Sequence, residues 1–183
     1  IIRFVSCKNI TVEKIFLRNS PMWMQLYLAC DDIVIHGIRV DSMVNANNDG
    51  INIDCCRNVR ISDCFIHSGD DAIVLKSTGH RTCENVTVTN CVVSTNCNGI
   101  KLGTETVGGF RNIVVSNCSV RKPGPEENWD RERRGLSAIA LMIVDGGIME
   151  RVSVSNITAR GMRSAIFIRL GNRARPVLPD DPK

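Results

Sequence analysis

Apolar and polar positions alternate along most of the chain in short runs, and the runs repeat. The segment ITVEKIFL from Ile10 to Leu17 returns as Ile33–Val40, Val59–Ile66, Val86–Val93, Ile113–Val120 and Val152–Ala159, at steps of 23, 26, 27, 27 and 39 residues. A second segment lies between these: GINI from Gly50, AIVL from Ala72, GIKL from Gly99, AIAL from Ala138, AIFI from Ala165, and a looser QLYL from Gln25. Both kinds have the period of two expected of a strand, and no helical spacing intervenes to cover a flat parallel sheet. The pattern predicts an all-β, right-handed parallel β-helix of about six rungs, without terminal caps. It spans residues 1–175, and 176–183 form an irregular tail.

Stacked rungs turn equivalent positions into columns. One column reads Cys7, Cys30, Cys56, Cys83, Phe110 and Met149, and another reads Ile15, Ile38, Cys64, Cys91, Cys118 and Ile157. Seven of the nine cysteines fall there among Ile, Phe and Met, so they read as reduced, buried small hydrophobes. Their odd number and rung-length spacing argue against a disulfide framework or a zinc site. Cys55 and Cys97 stand outside. A third column, Asn9, Asp32, Asn58, Asn85, Asn112 and Arg151, marks a bend where amide side chains bond backbone and each other. The glycosylation-type triplets at Asn9, Asn85, Asn117 and Asn156 read as stacked turn or strand asparagines rather than glycan acceptors. The long step holds a polar excursion, residues 121–135, whose Trp129 either stacks on a sugar or pins the loop.

Composition supports the narrow all-β reading: 20 Ile and 19 Val stand against 9 Leu and 8 aromatics, and β-branched residues favour strands. A formal net charge of +4, with no basic run interleaved with aromatics, gives no reason to expect nucleic acid. No run approaches the ~18 apolar residues of a membrane helix, and none resembles a signal peptide. The first residue is Ile1, already inside a rung, so the chain reads as a piece of a longer protein that is a monomer when complete.

The chemistry concentrates in three carboxylates. Asp49 and Asp71 share a column one rung apart, and Asp70 immediately precedes Asp71. Each stands before a small residue, Gly50 or Ala72, where the chain bends and presents short acids together. A single aspartate at a strand start is ordinary turn chemistry; three registered on successive rungs are not. Like charges this close raise at least one pKa, which supplies a protonated acid beside ionised bases. Inverting glycoside hydrolysis needs that division, with carboxyls ~6.5–9.5 Å apart.

These residues resemble glycoside hydrolase family 28, the polygalacturonase and rhamnogalacturonan hydrolase family. The resemblance lies in Asn47-Asn48-Asp49-Gly50-Ile51, similar to the family's Asn-Thr-Asp motif, and in Ser68-Gly69-Asp70-Asp71-Ala72-Ile73, which carries its Asp-Asp pair. It implies Asp70 as general acid, Asp49 and Asp71 as holders and activators of water, and inversion on galacturonate-containing pectic chains. It also implies no cofactor or metal, and a secreted or periplasmic location. Two motifs depart from the family: Gly-His-Gly is replaced by Cys97-Asn98-Gly99, and Arg-Ile-Lys by Ala140-Leu141-Met142. The cations that would grip a galacturonate carboxylate are therefore absent from their usual rung, and plain polygalacturonan is disfavoured. Candidate substrate contacts are Asn47, Asn48, Asn52, Lys76, Asn98, Lys101, Glu105 and Arg169, with Arg169 in the column of Lys76. His67 and His80 read as surface or turn residues that alternatively orient a catalytic group.

Two other functions fit the same pattern. In a β-helical polysaccharide lyase, Asp49, Asp54, Asp70 and Asp71 would hold calcium, but no Arg aligns between them as base. A non-catalytic carbohydrate-binding β-helix is the other, because the fold hosts many functions.

Overall fold

The computed structural model describes residues 1–128 and 135–175. Residues 129–134 of the polar excursion, Trp129 among them, and the tail from residue 176 lie outside the described residues. The chain winds into a parallel solenoid of about six turns with three faces. The groove face stacks seven strands: Ile2–Val5, Gln25–Leu28, Ile51–Asp54, Ile73–Ser77, Asn98–Thr106, Ser137–Ile143 and Ser164–Leu170. The second face begins Lys8–Glu13, Asp31–His36, Arg57–Ser62 and Cys83–Thr89, and the third begins Phe16–Arg18, Arg39–Ser42, Phe65–Ser68 and Val92–Thr95. Both are completed by Phe110–Arg121 and Met149–Arg160, each of which bends across from one face to the other. No helix among the described residues is long and apolar enough to cross a membrane.

The eight-residue repeat, which reads as one strand in the sequence, is thus two strands in each of its first four copies. Its fifth residue supplies the corner: Lys14, Gly37, Asp63, Asn90, Asn117 and Asn156 all have φ between 52° and 60°. A left-handed residue turns the chain without breaking the solenoid, and Gly, Asn and Asp tolerate it best. A second left-handed column is Asn9, Asp32, Asn58, Asn85, Asn112 and Arg151, with φ between 54° and 57°. There the side chains form a ladder. Asn58 donates to Asp32 at 2.9 Å, Asn85 to Asn58 at 3.0 Å, Asn112 to Asn85 at 2.9 Å, and Arg151 Nε to Asn112 at 2.6 Å. Of the triplet asparagines, Asn85 is a rung of this ladder, while Asn156 donates to Asn117 at 3.1 Å in the other column.

Inward-facing Ile and Val of all three faces form one continuous core with the cysteine columns. Cys30, Cys56, Cys64, Cys83, Cys91 and Cys118 are buried, and all nine cysteines are free thiols. Cys30, Cys56, Cys64, Cys91 and Cys118 each donate to the carbonyl two residues back, as Cys30 does to Leu28 at 3.3 Å and Cys118 to Ser116 at 3.2 Å. A small side chain with a weak donor suits the inside of a bend, which explains why the column recruits cysteine.

The looser QLYL segment pairs one residue away from a direct match to GINI. Leu26 faces Asn52 and Tyr27 faces Ile53, so Gln25 and Tyr27 point inward and the leucines outward. Tyr27 is accommodated because its hydroxyl donates to Gln25 Oε1 at 2.9 Å and its ring stacks on Phe4 at 5.4 Å.

Candidate active site

Register on the groove face builds the site. Pairing of Ile51 with Ile73 and of Ile73 with Ile100 sets Asp49, Asp71 and Asn98 in one column, two residues before those isoleucines. The same offset puts Trp23 in that column one rung earlier, since Tyr27 pairs with Ile53. Close backbone approach holds the rungs together. Gly50 N donates to Asp71 O at 3.0 Å, and a Cβ on Gly50 would lie 2.5 Å from Ala72 O. Gly69 is pinned likewise, its missing Cβ falling 2.3 Å from Asn45 O, and this lets Asp70 follow beneath the loop that carries Asn45 to Asn48.

Asp71 is almost fully buried and fully partnered. Lys101 Nζ donates to Oδ2 at 2.7 Å, and Oδ1 accepts from Asn98 Nδ2 at 2.6 Å and Asn98 N at 3.1 Å. Burial alone would raise its pKa, but the Lys101 charge, with hydrogen bonds from Lys101, Asn98 and Cys97, outweighs it and leaves the carboxyl below its ordinary range. Asp49, only 3% exposed, has the opposite balance. Burial first and the Asp71 charge second raise it to about 7, against the pull of Lys76 at 3.9 Å. Asp70 is also raised, by burial and then by Asp71, with partial relief from Cys97, the Asp71 backbone N–H and Lys101. The ligand atoms of Asp70, Asp71 and Cys97 lie within 4.8 Å of one another, a closer approach for the Asp pair than the ~6.5–9.5 Å of an inverting pair of carboxyls.

Around the acids runs a chain of ion pairs. Lys76 Nζ lies 3.5 Å from Glu105, and Arg173 reaches Glu105 at 3.5 Å while its guanidinium also grips Asp145. Burial raises the Glu105 carboxyl, yet Lys76 and Arg173 hold it below its usual range. Glu105 reaches Lys76 because the strand Asn98–Thr106 slips register after Leu102, so that Thr106 rather than Thr104 pairs with Ser77.

Of the sequence candidates, Asp49, Asp70, Asp71, Lys76, Asn98, Lys101 and Glu105 converge. Asn47 sits at the exposed rim, where its Oδ1 accepts from Trp23 Nε1 at 3.2 Å. Asn48 does not face the groove. Its oxygen takes the N–H groups of Val44 and Asn45, and its amide donates to the carbonyls of Ser20 and Met22, so it ties the loop together. Asn52 is buried and donates to Gln25 O at 3.3 Å. Arg169 is exposed on the last groove strand, two strands from Lys101, and Arg173 supplies the cation that reaches Glu105. Asp54 accepts from Thr78 N at 2.9 Å and Thr78 Oγ1 at 2.6 Å, so its carboxylate serves a turn. His67 is on the third face, 2.9 Å from Asp41, in a cleft of about 530 Å³ with Arg39, Phe65 and Arg121. His80 lines a smaller pocket with Thr82 and Phe110.

Three residues escape the sequence reading. Trp23 lies under Lys76, whose Nζ is 4.1 Å from the ring centroid; counting back 26 from Asp49 would have found it. Cys97 is the thiol beside Asp70 and Asp71, signalled by its place outside the core columns and next to Asn98. Arg173 lies beyond the last repeat, where the pattern carries no signal.

Comparison with known proteins bears on the family and the fold. The family model for glycosyl hydrolases family 28 matches residues 1–124. A probable polygalacturonase of Vitis vinifera is 40% identical over 78 residues, 42% of this chain and 16% of that protein. A polygalacturonase of Juniperus ashei is 33% identical over 69 residues, 37% of this chain and 14% of that one. The crystal structure of a hyperthermoactive exopolygalacturonase from Thermotoga maritima superposes with a TM-score of 0.79 at 27% identity, over 94% of this chain and 38% of that one. These matches therefore span well under half of the relatives' lengths. With the family model covering residues 1–124, and with a parallel solenoid carrying its three carboxylates on adjacent rungs, the chain belongs to glycosyl hydrolases family 28.

Proposed function

We propose that the protein containing this chain hydrolyses a pectic, galacturonate-containing glycan with inversion, Asp70 acting as general acid and Asp49 and Asp71 holding and activating water; inversion rests on the family resemblance, since the Asp70–Asp71 approach is closer than the ~6.5–9.5 Å of the usual inverting pair. The observation that carries the reading is the opposed setting of neighbouring carboxylates. Asp71 is kept ionised by Lys101 and Asn98, whereas Asp49 and Asp70 are pushed up by burial and by Asp71. A raised acid beside a lowered one can donate a proton to a leaving oxygen while its neighbour accepts one from water. Asp49, raised to about 7, titrates near neutrality, so water activation strengthens as it ionises. Substrates of this size are met outside the cytoplasm, and secretion or periplasmic export belongs to the same proposal.

The lyase reading loses Asp54, whose carboxylate is committed to Thr78, and with it the four-acid calcium set. Asp70→Asn removes the proton donor and nearly preserves shape. Turnover on pectic polymers is expected to fall about 10³-fold, with binding changed little. Reducing-end release measures the first, titration of the polymer the second, and the anomer formed first, read by NMR, reports inversion. Full activity in the variant overturns the acid assignment, and a first product of retained configuration overturns inversion.

A further inference from the structure

Around the corner from the groove, the third face carries a cleft of about 530 Å³. Two outward-facing columns build it. Parallel register stacks Phe16, Arg39, Phe65 and Val92 in one, and Asp41, His67, Ser94 and Arg121 in the other. Most of the charges lining the cleft are already matched. His67 Nδ1 lies 2.9 Å from Asp41, and Arg121 donates twice to Glu127, at 2.6 and 2.8 Å. Arg39 differs. Its guanidinium lies over the Phe16 ring, 5.0 Å from the centroid, and among the described residues no carboxylate pairs with it. One rung on, Phe65 is 59% exposed, and Val92 beyond it is 42% exposed. A phenyl ring beside an unmatched guanidinium offers two complementary contacts, an apolar face for the C–H side of a pyranose ring and a planar donor fork for a carboxylate. A uronate carries both on one ring. Each column presents one side chain per rung of ~4.8 Å, close to the length of one unit in an extended glycan, so successive units of a linear polymer meet successive rungs. A neutral sugar leaves Arg39 unanswered, and a protein partner needs a wider apolar patch than this narrow strip supplies.

We propose that the third-face cleft is a second glycan site, separate from the catalytic groove, that binds a uronate unit of an acidic polysaccharide with its ring on Phe65 and its carboxylate on Arg39. A polymer held there keeps the protein on its substrate while another stretch of glycan occupies the groove, which raises overall affinity through two linked contacts. The inference rests on the pectic reading for its ligand and on none of the catalytic assignments.

The test uses the full-length protein with its groove residues intact. Retardation in native gels containing soluble polygalacturonan, run in the cold, reads binding to the polymer, and turnover of a short oligogalacturonate reads the groove. Phe65→Ala removes no charge, and Arg39→Lys keeps the charge but loses the planar fork. Each is expected to weaken retardation at least about fivefold while oligomer turnover stays within about twofold of the parent. Retardation by the fully methyl-esterified polymer should respond to Phe65→Ala and not to Arg39→Lys, because the ester leaves no carboxylate for the fork. A parent that is not retarded, retardation unchanged in both variants, or oligomer turnover lost in step with retardation overturns the inference. Retardation that both variants lose, in a parent that hydrolyses no uronate substrate, upholds this site and rejects the proposed reaction, so the two readings fail on different measurements.

Discussion

The second face and the groove face are cut from the same repeat, yet stacking has opposite consequences on them. On the second face an amide column repeats at rung spacing, and each Asn offers both a donor and an acceptor, so Asn58, Asn85 and Asn112 satisfy one another at 2.9–3.0 Å. On the groove face the column holds Asp49 and Asp71 at the same spacing, and ionised carboxylates offer only acceptors and like charge. There the repeat must be broken to be tolerated. Asn98 replaces a third acid, Lys101 and Lys76 come in from neighbouring positions, and the strand bearing Lys101 slips register to add Glu105. Regularity supplies stiffness on one face, and its interruption supplies chemistry on the other.

Substitutions at three positions test that contrast. Lys101→Met leaves Asp71 buried without its cation and is expected to cost about 3–5 kcal/mol near neutral pH. The native Asp71 pKa is lowered, so its pairing stabilises above the unfolded carboxylate range and the contribution is lost as pH falls through the folded value. In the variant burial acts unopposed by Lys101, so the defect should shrink on acidification; chemical denaturation at pH 4 and pH 8 reads this, and an equal loss at both would separate Lys101 from Asp71.

Asn85→Val attacks the ladder. It places a β-branched residue at φ 57° and removes two side-chain hydrogen bonds, for an expected cost of about 2–3 kcal/mol. Asn85→Gly keeps the backbone free and loses the bonds alone, so it should cost less, and equal midpoints for the two would show that φ carries none of the effect. The smallest effect has the opposite sign. Asp49, whose pKa is raised to about 7, favours folding most below the unfolded carboxylate value, and that advantage disappears as pH rises through 7. Asp49→Asn should therefore be about 2 kcal/mol more stable than the parent at pH 8 and not at pH 4. Lys76 keeps Glu105 as a partner in that variant, so no cation is stranded.

Much of this architecture was legible because a solenoid writes its geometry as a period. The cysteine and asparagine columns and the alignment of Asp49 with Asp71 and Asn98 follow from repeat spacing alone, and the register agrees with them. Where the period is weak, the reading slipped. QLYL sits one residue from its apparent match because the buried pair of Gln25 and Tyr27 satisfies itself inside the core. The corner within each eight-residue segment was invisible because Lys14, Gly37, Asp63 and Asn90 share a backbone angle and not a residue type. Asn48 and Asn52 looked like sugar contacts by proximity to Asp49, but side-chain direction buries both.

By itself the sequence determined the class of fold, the column that carries the acids and the replacement of two basic motif positions by Ala140 and Met142. These depend on local periodicity and on which residue occupies which slot. Only the tertiary structure decided which acid is neutralised, since Lys101 is 30 positions from Asp71 and Arg173 is 68 from Glu105. Whether Asp49, Asp70 or Asp71 holds a proton depends on burial and on charges brought within about 4 Å by folding, and neither is a property of the chain read in order.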